Sequence, residues 1–101
     1  MPKRAIRING KDNVAVLVES ANSQDEVAVS RGWQVEVIIA IEAIPFNFKM
    51  ALVDIHKGQA VLKYGEVIGE ASMEIPKGSL VHRHNLVGRR GRGDLMAREE
   101  R

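Results

Sequence analysis

The chain contains no cysteine. Disulfides, thiolate metal sites and a cysteine nucleophile are therefore excluded, and the absence fits a reducing compartment. Aromatic residues are scarce: Trp33, Phe46, Phe48 and Tyr64 only. Long apolar runs are missing as well. The longest, "VIIAI" at 37–41, falls far short of the roughly 20 residues a membrane helix needs. The basic start, "MPKRAIRING", is not followed by the apolar stretch of a signal peptide. We expect a soluble, cytoplasmic protein with no membrane partner. No window supports a long amphipathic helix. Nothing resembles a nucleophile elbow, a phosphate loop, a zinc-protease helix or a dinucleotide fingerprint. The chain alone does not read as a complete enzyme.

What is present has the periodicity of strands. The 101 residues suffice for one domain. "VEVIIAIEAI" (35–44) sets Val35, Val37, Ile39, Ile41 and Ala43 on one face at period two, with Glu36 and Glu42 on the other. "AVLVES" (15–20), "KMALVDI" (49–55), "QAVLKY" (59–64) and "SLVHRH" (79–84) are similar short segments. Turn signals separate them, among them Arg31-Gly32, Lys57-Gly58, Tyr64-Gly65 and Lys77-Gly78. The expectation is a compact, mostly β single domain over residues 1–87. "DIHKGQAV" (54–61) and "EIPKGSLV" (74–81) share the pattern acid-Ile-x-Lys-Gly-x-x-Val. The Lys-Gly pair predicts a tight turn in which glycine takes positive φ. Two such units suggest a pseudo-symmetric arrangement of strands.

Charge is unevenly spread. Residues 1–7 carry +3 and residues 86–101 carry +2, while residues 8–85 hold seven basic against ten acidic side chains. A nucleic-acid binder usually shows a basic folded face; here only the ends are basic. From Gly88 onward, Gly88, Gly91 and Gly93 alternate with Arg89, Arg90 and Arg92, and Asp94 follows. This segment, 88–101, offers little to bury and no interleaved aromatics. It reads as a flexible C-terminal arm or linker, with Arg89, Arg90, Arg92 and Asp94 as partner-docking residues. Arg92-Gly93-Asp94 also matches an adhesion tripeptide, without a secretion signal to support that use.

The stretch "VHRHN" (81–85) is the most chemically suggestive. On a strand, His82 and His84 share a face, with Cα atoms roughly 6.5–7 Å apart. They can converge on an ion or an anion, or stand as two exposed polar residues. A metal needs further ligands; His56, Asp54 and Glu74 are of the right kind, and no spacing brings them in. Lys49, after Phe46 and Phe48, can supply positive charge for a carboxylate.

Three stretches together carry a resemblance: "DNVAVLVES", "IPFNFKMALVDIHKGQAVLKYGEVIGEA" and "GSLVHRHNLVGRRGRGDL". In this order and spacing the chain resembles the small N-terminal part of the altronate and galactarate dehydratase family, which also includes sulfolactate sulfo-lyases. The resemblance runs from about Asp12 to Leu95. It implies a β-clip (SAF, antifreeze-like) fold of short bent strands. It implies an accessory domain or small subunit of a hydro-lyase, contributing substrate recognition to a large catalytic dehydratase subunit. The substrate would be a sugar acid. Lys49, His82, His84 and Asn85 match the family pattern and become the substrate-binding candidates; Tyr64, Gly65 and Gly69 match it too. Family members often have Gly-His where this sequence has Asn47-Phe48. No metal is assigned to this chain, though the resemblance associates iron(II) or another divalent metal with the assembled enzyme. The alternatives are the small subunit of a sulfolactate sulfo-lyase, or a stand-alone module for acidic carbohydrate. A homo-oligomer is compatible with each, and no nucleic acid is expected as partner.

Overall fold

The computed structural model describes residues 1–88. Arg89, Arg90, Arg92 and Asp94, the expected docking residues, lie outside the described residues. Nine short strands follow in chain order: β1 Lys3–Ile6, β2 Val14–Leu17, β3 Glu26–Arg31, β4 Gln34–Ile39, β5 Lys49–Ala51, β6 Ala60–Lys63, β7 Glu66–Ala71, β8 Leu80–Val81 and β9 Leu86–Val87. No helix occurs among the described residues, so the mostly β expectation holds. A six-stranded sheet has the order β4-β3-β1-β2-β5-β8, and a three-stranded sheet the order β6-β7-β9.

Two apolar cores lie on either side of the central strands. The first gathers Leu17, Val27, Val29, Ile38, Ile44, Met50 and Leu52; the second gathers Val14, Ala51, Ile55, Val61, Ile75 and Val81. Successive strand residues point to opposite faces. In β2, β5 and β8 that alternation feeds both cores: Ala15 and Val14, Met50 and Ala51, Leu80 and Val81. These three strands are the shared wall, which explains why, Lys49 apart, they are apolar on both faces.

The internal echo seen in the sequence has four copies in the fold. Four turns close by a backbone hydrogen bond from the fourth residue to the first: Asn22–Asp25 (3.0 Å), Pro45–Phe48 (3.2 Å), His56–Gln59 (2.9 Å) and Pro76–Ser79 (3.1 Å). The third residue of each has positive φ: Gln24 76°, Asn47 72°, Gly58 90° and Gly78 88°. That is the signature of a type II turn. Buried residues bracket each turn: Ala21 and Val27, Ile44 and Met50, Ile55 and Val61, Ile75 and Val81.

The four turns work in two pairs. Ala21 bridges Ile44, and Ile55 bridges Ile75. Within a pair, each turn clasps the buried residue that leads into its partner. Gln24 N–H donates to Ala40 O (2.6 Å) and Ala40 N–H to Asp25 O (2.9 Å); reciprocally, Asn47 donates to Leu17 (2.8 Å) and Leu17 to Phe48 (2.9 Å). In the second pair Gly58 donates to Ala71 (2.8 Å), Ala71 to Gln59 (2.9 Å), Gly78 to Ala51 (2.9 Å) and Ala51 to Ser79 (2.9 Å). The acids of the echo are also reciprocal. Asp54 Oδ1 accepts from Lys77 N–H (2.9 Å), and Glu74 Oε2 from Lys57 N–H (3.0 Å).

Two hairpins project from this frame. The β6–β7 hairpin turns through Tyr64 (φ 59°) and Gly65 (φ 75°), the positive pair a type I′ turn requires. Buried Asp12 holds that turn, accepting from Tyr64 N–H (3.0 Å), Gly65 N–H (2.8 Å) and Asn9 N–H (3.0 Å). The β3–β4 hairpin turns at Gly32 (φ 61°) and Trp33. Here the larger apolar face of the sequence pattern is the exposed one. Trp33 is 99% exposed, Val35 60%, Val37 54%, Ile39 41% and Ile41 43%, while Ile38 and Ala40 go into the first core.

Candidate functional site

Lys49 opens β5 and lies opposite Val16 of β2 and Val81 of β8. Period-two alternation with Met50 puts it on the side of the second core, beside Ala51 and Val81. Its stem is half-buried there. Burial lowers its pKa from the usual lysine value, and the Lys63 charge lowers it further.

The expected strand over 79–84 stops at Val81. His82–Asn85 forms a turn, so His82 and His84 do not share a strand face. The cause is Asn85. Its Oδ1 accepts from His82 N–H (3.0 Å), its Nδ2 donates to Leu80 O (2.9 Å), and its own N–H donates to His82 O (3.1 Å). Asn85 is buried, and its side chain is committed to the backbone. Asp12 and Asp25 close their turns likewise, each accepting from the N–H three residues before it (3.0 and 2.8 Å). An Asx side chain at the fourth position is thus the sequence signal for this turn.

The turn displays His82, Arg83 and His84. His82 is half-buried against Phe48, with ring centroids 4.6 Å apart and planes at 49°. Desolvation lowers its pKa from the usual histidine value, with further lowering from the charges of Lys49, Arg83 and His84. The fold therefore seats His82 on Phe48, which packs against the first core, while Lys49 lies on the side of the second; His84 and Arg83 stay exposed in the same turn, and Asn85 is the fastener. Phe48 and Lys63 were not singled out as site residues from sequence. Phe48 belongs by its ring contact, and Lys63 through the charge it places on Lys49.

The ion pairs among the described residues are Arg4–Glu19 (3.0 Å), Arg7–Glu36 (3.8 Å) and His56–Glu74 (2.7 Å), all elsewhere. Among the described residues no group of three His, Cys, Asp or Glu side chains is placed to share a metal ion. No helix among the described residues is long and apolar enough to cross a membrane.

A two-sheet β domain built on paired, clasped type II turns defines the structural class. By sequence this chain belongs to the altronate/galactarate dehydratase SAF domain family, whose model matches residues 3–89. It is 34% identical to galactarate dehydratase (L-threo-forming) of Escherichia coli strain K12 over 82 residues, covering 81% of this chain and 15% of that protein. It is 38% identical to altronate dehydratase of the same organism over 80 residues, covering 79% of this chain and 15% of that protein. The chain thus spans a small part of the length of these relatives.

Proposed function

We propose that this domain serves a dehydratase-type lyase acting on a sugar acid, presenting Lys49, His82 and His84 to the substrate beside a larger catalytic body. The family match over residues 3–89 is the observation that carries this reading. The chemistry of these residues supports it. Dehydration of a hydroxy acid removes a proton next to the carboxylate and expels hydroxide. Negative charge builds on the carboxylate as the proton leaves. A fixed, partly desolvated ammonium such as Lys49 stabilises that charge more than water does. His82, biased towards the neutral form, can accept or relay a hydrogen bond. The proton-abstracting base and the hydroxide-expelling acid belong to the larger body.

The open apolar stripe Val35, Val37, Ile39 and Ile41, with Trp33 at its end, supports a body that covers it. The matched segment is only 15% of each relative, and the rest of such a protein is the occupant we assign. Trp33 is the single tryptophan here, so docking should shift its emission to the blue.

The test pairs activity with stability. Purified alone, the chain should not turn over altronate or galactarate with iron(II) present. In the assembled enzyme, His82→Gln with His84→Gln should lower activity tenfold or more, at a stability cost of about 0.5–1.5 kcal/mol for the lost Phe48 ring contact. Asn85→Ala is the structural control and should cost about 1–3 kcal/mol, because it strands buried backbone groups. A histidine double variant that unfolds while its folded remainder is fully active would sink the assignment. Sulfolactate as substrate in the same assay separates the sulfo-lyase reading.

A further inference from the structure

We infer that Arg7 and Arg31 frame a binding site for a small hydroxylated carboxylate, in a cavity beside the β3–β4 hairpin and apart from Lys49 and His82. The site rests on the arrangement of side chains; the choice of galactarate as probe rests on the sugar-acid reading above.

Strand register brings the residues together. β1 and β3 run parallel, with Ala5 opposite Val29 and Ile6 opposite Ser30. The ladder continues through Arg7 N–H, which donates to Ser30 O (2.9 Å). Arg7 therefore follows on beside Arg31. β3 and β4 pair Val29 with Glu36 and Arg31 with Gln34. Ala5 and Val29 belong to the first core. Period two places Arg7, Arg31, Gln34 and Glu36 on that same sheet face, at the edge of the core. Lys49 is on the opposite face: it pairs with Val16, and Val16 pairs with Ile6, the neighbour of Arg7. The four polar side chains line one cavity of about 380 Å³, within the roughly 300–1,000 Å³ of small-ligand pockets.

Direct contacts tie both guanidinium groups to one loop residue. Arg7 Nη2 donates to Gly10 O (2.9 Å) and its Nε to Asp12 O (3.1 Å). A Cβ on Gly10 would lie 3.4 Å from both Cζ and Nη2 of Arg31, so the loop backbone packs against that guanidinium. The fold leaves much of their donor capacity unused. Glu36 Oε1 stands 3.8 Å from Arg7 Nη1, beyond hydrogen-bond distance. Gln34 Oε1 lies 3.4 Å from Arg31 Nη2, at the long end of the range. Among the described residues Arg31 has no carboxylate in ion-pair contact.

Glu36 selects the class of ligand. A guanidinium takes a carboxylate through two parallel N–H donors. An acid in the same cavity repels a bare anion, yet accepts hydrogen bonds from hydroxyl groups. Gln34 offers both a donor and an acceptor. A molecule with a carboxylate at one end and hydroxyls along its length answers all four side chains. Sulfate and acetate answer only the arginines.

The test uses the full chain and NMR titration, with galactarate, acetate, sulfate and the uncharged polyol galactitol as probes. Galactarate is expected to shift the Arg31 Nε–H, Gln34 side-chain amide and Gly10 amide signals. It should bind there at least tenfold more tightly than the other three. Arg31→Met should weaken this binding at least tenfold, and Arg31→Lys at least threefold, since the planar fork is lost. Glu36→Gln should narrow the preference for galactarate over sulfate at least threefold. Lys77→Met removes one positive charge elsewhere and should leave binding unchanged. Arg7 also clamps the loop, so Arg31 carries the test; retained signal dispersion shows that each variant is folded. Galactarate shifts confined to Lys49 and His82 overturn the inference and spare the sugar-acid reading. Acetate, sulfate or galactitol bound as tightly as galactarate, no shift at Arg31 with any probe, or equal loss in Lys77→Met overturns the inference outright. Galactarate bound at Arg31, in a protein whose assembled enzyme dehydrates no sugar acid, supports the site and sinks the sugar-acid reading.

Discussion

The two pairs of clasped turns have one backbone design and two chemistries. In the second pair the positive φ falls on Gly58 and Gly78, and Asp54 and Glu74 cap each other's turns. In the first pair it falls on Gln24 and Asn47, and no such reciprocal acids stand before Ala21 and Ile44, where the sequence has Ser20 and Ala43. The first pair therefore tolerates left-handed strain that the second avoids. It persists because its clasps end on the buried Leu17 and Ala40 of the larger core. Buried clasps hold both pairs, ending on Ala51 and Ala71 in the second; the second adds glycine at the positive φ and the reciprocal acids.

The largest break in this comparison comes from within the second pair. A Cβ at Gly78 would sit inside van der Waals contact of the Ile39 carbonyl oxygen, whereas one at Gly58 meets nothing within 4 Å. Gly58→Ala should cost the left-handed penalty alone, about 1–2 kcal/mol. Gly78→Ala adds a backbone clash and should exceed about 4 kcal/mol, the range reserved for severe steric conflict. Urea denaturation of the two variants measures the gap; equal losses would mean that the turn at 76–79 can slide away from β4.

A smaller effect sharpens the contrast in the first pair. Gln24→Gly removes left-handed strain of about 1–2 kcal/mol against an unfolded-state entropy cost of about 0.5–1 kcal/mol. A net gain of about 0.5 kcal/mol is expected. Asn47→Gly should be close to neutral, because asparagine visits that region readily. Thermal unfolding resolves the sign. A loss in Gln24→Gly would show that the Gln24 side chain contributes through contacts.

The smallest effect is electrostatic and confined to the second pair. His56 Nδ1 lies 2.7 Å from Glu74 Oε1. Glu74 raises the His56 pKa, chiefly through that hydrogen bond, and His56 lowers the Glu74 pKa by the same contact. The histidine contribution is complete below its ordinary value and fades as pH rises through the raised one. The glutamate contribution is complete above its ordinary value and fades as pH falls through the lowered one. The pair should therefore help most between the ordinary values of 4.5 and 6.5. Both groups are exposed, so the effect is slight. The stability difference between the parent and His56→Ala across pH measures it; a difference that grows towards alkaline pH contradicts the assignment.

These contrasts also explain what could be read beforehand. Lys57-Gly58 and Lys77-Gly78 declare their turns because glycine is the ordinary occupant of positive φ. Ser23-Gln24-Asp25 and Pro45 also signal turns, but neither Gln24 nor Asn47 declares a positive φ, so their kinship with the two Lys-Gly units stays hidden. Five strand segments were legible from their apolar patterning, while β1, β3, β7 and β9 were not, nor which face of β4 is buried. Val35, Val37 and Ile39 form the larger apolar face and still stay open, since burial depends on which sheet face the cores occupy. Lys49 and His82 were recognisable site candidates. The shared strand face of His82 and His84 was not, because Asn85 ends the strand early.

The three residues of β5 carry one further implication. The strand leaves the second turn and leads into the third, and Ala51 within it is clasped by the fourth. Each pair of turns needs β5, and neither owns it. A chain with two separate cores could melt in two steps. Here, opening either pair frees the strand the other depends on. The domain should therefore unfold as a single all-or-none unit. An anion gripped by Lys49 would tighten both halves at once, raising the midpoint of one transition and splitting it into none.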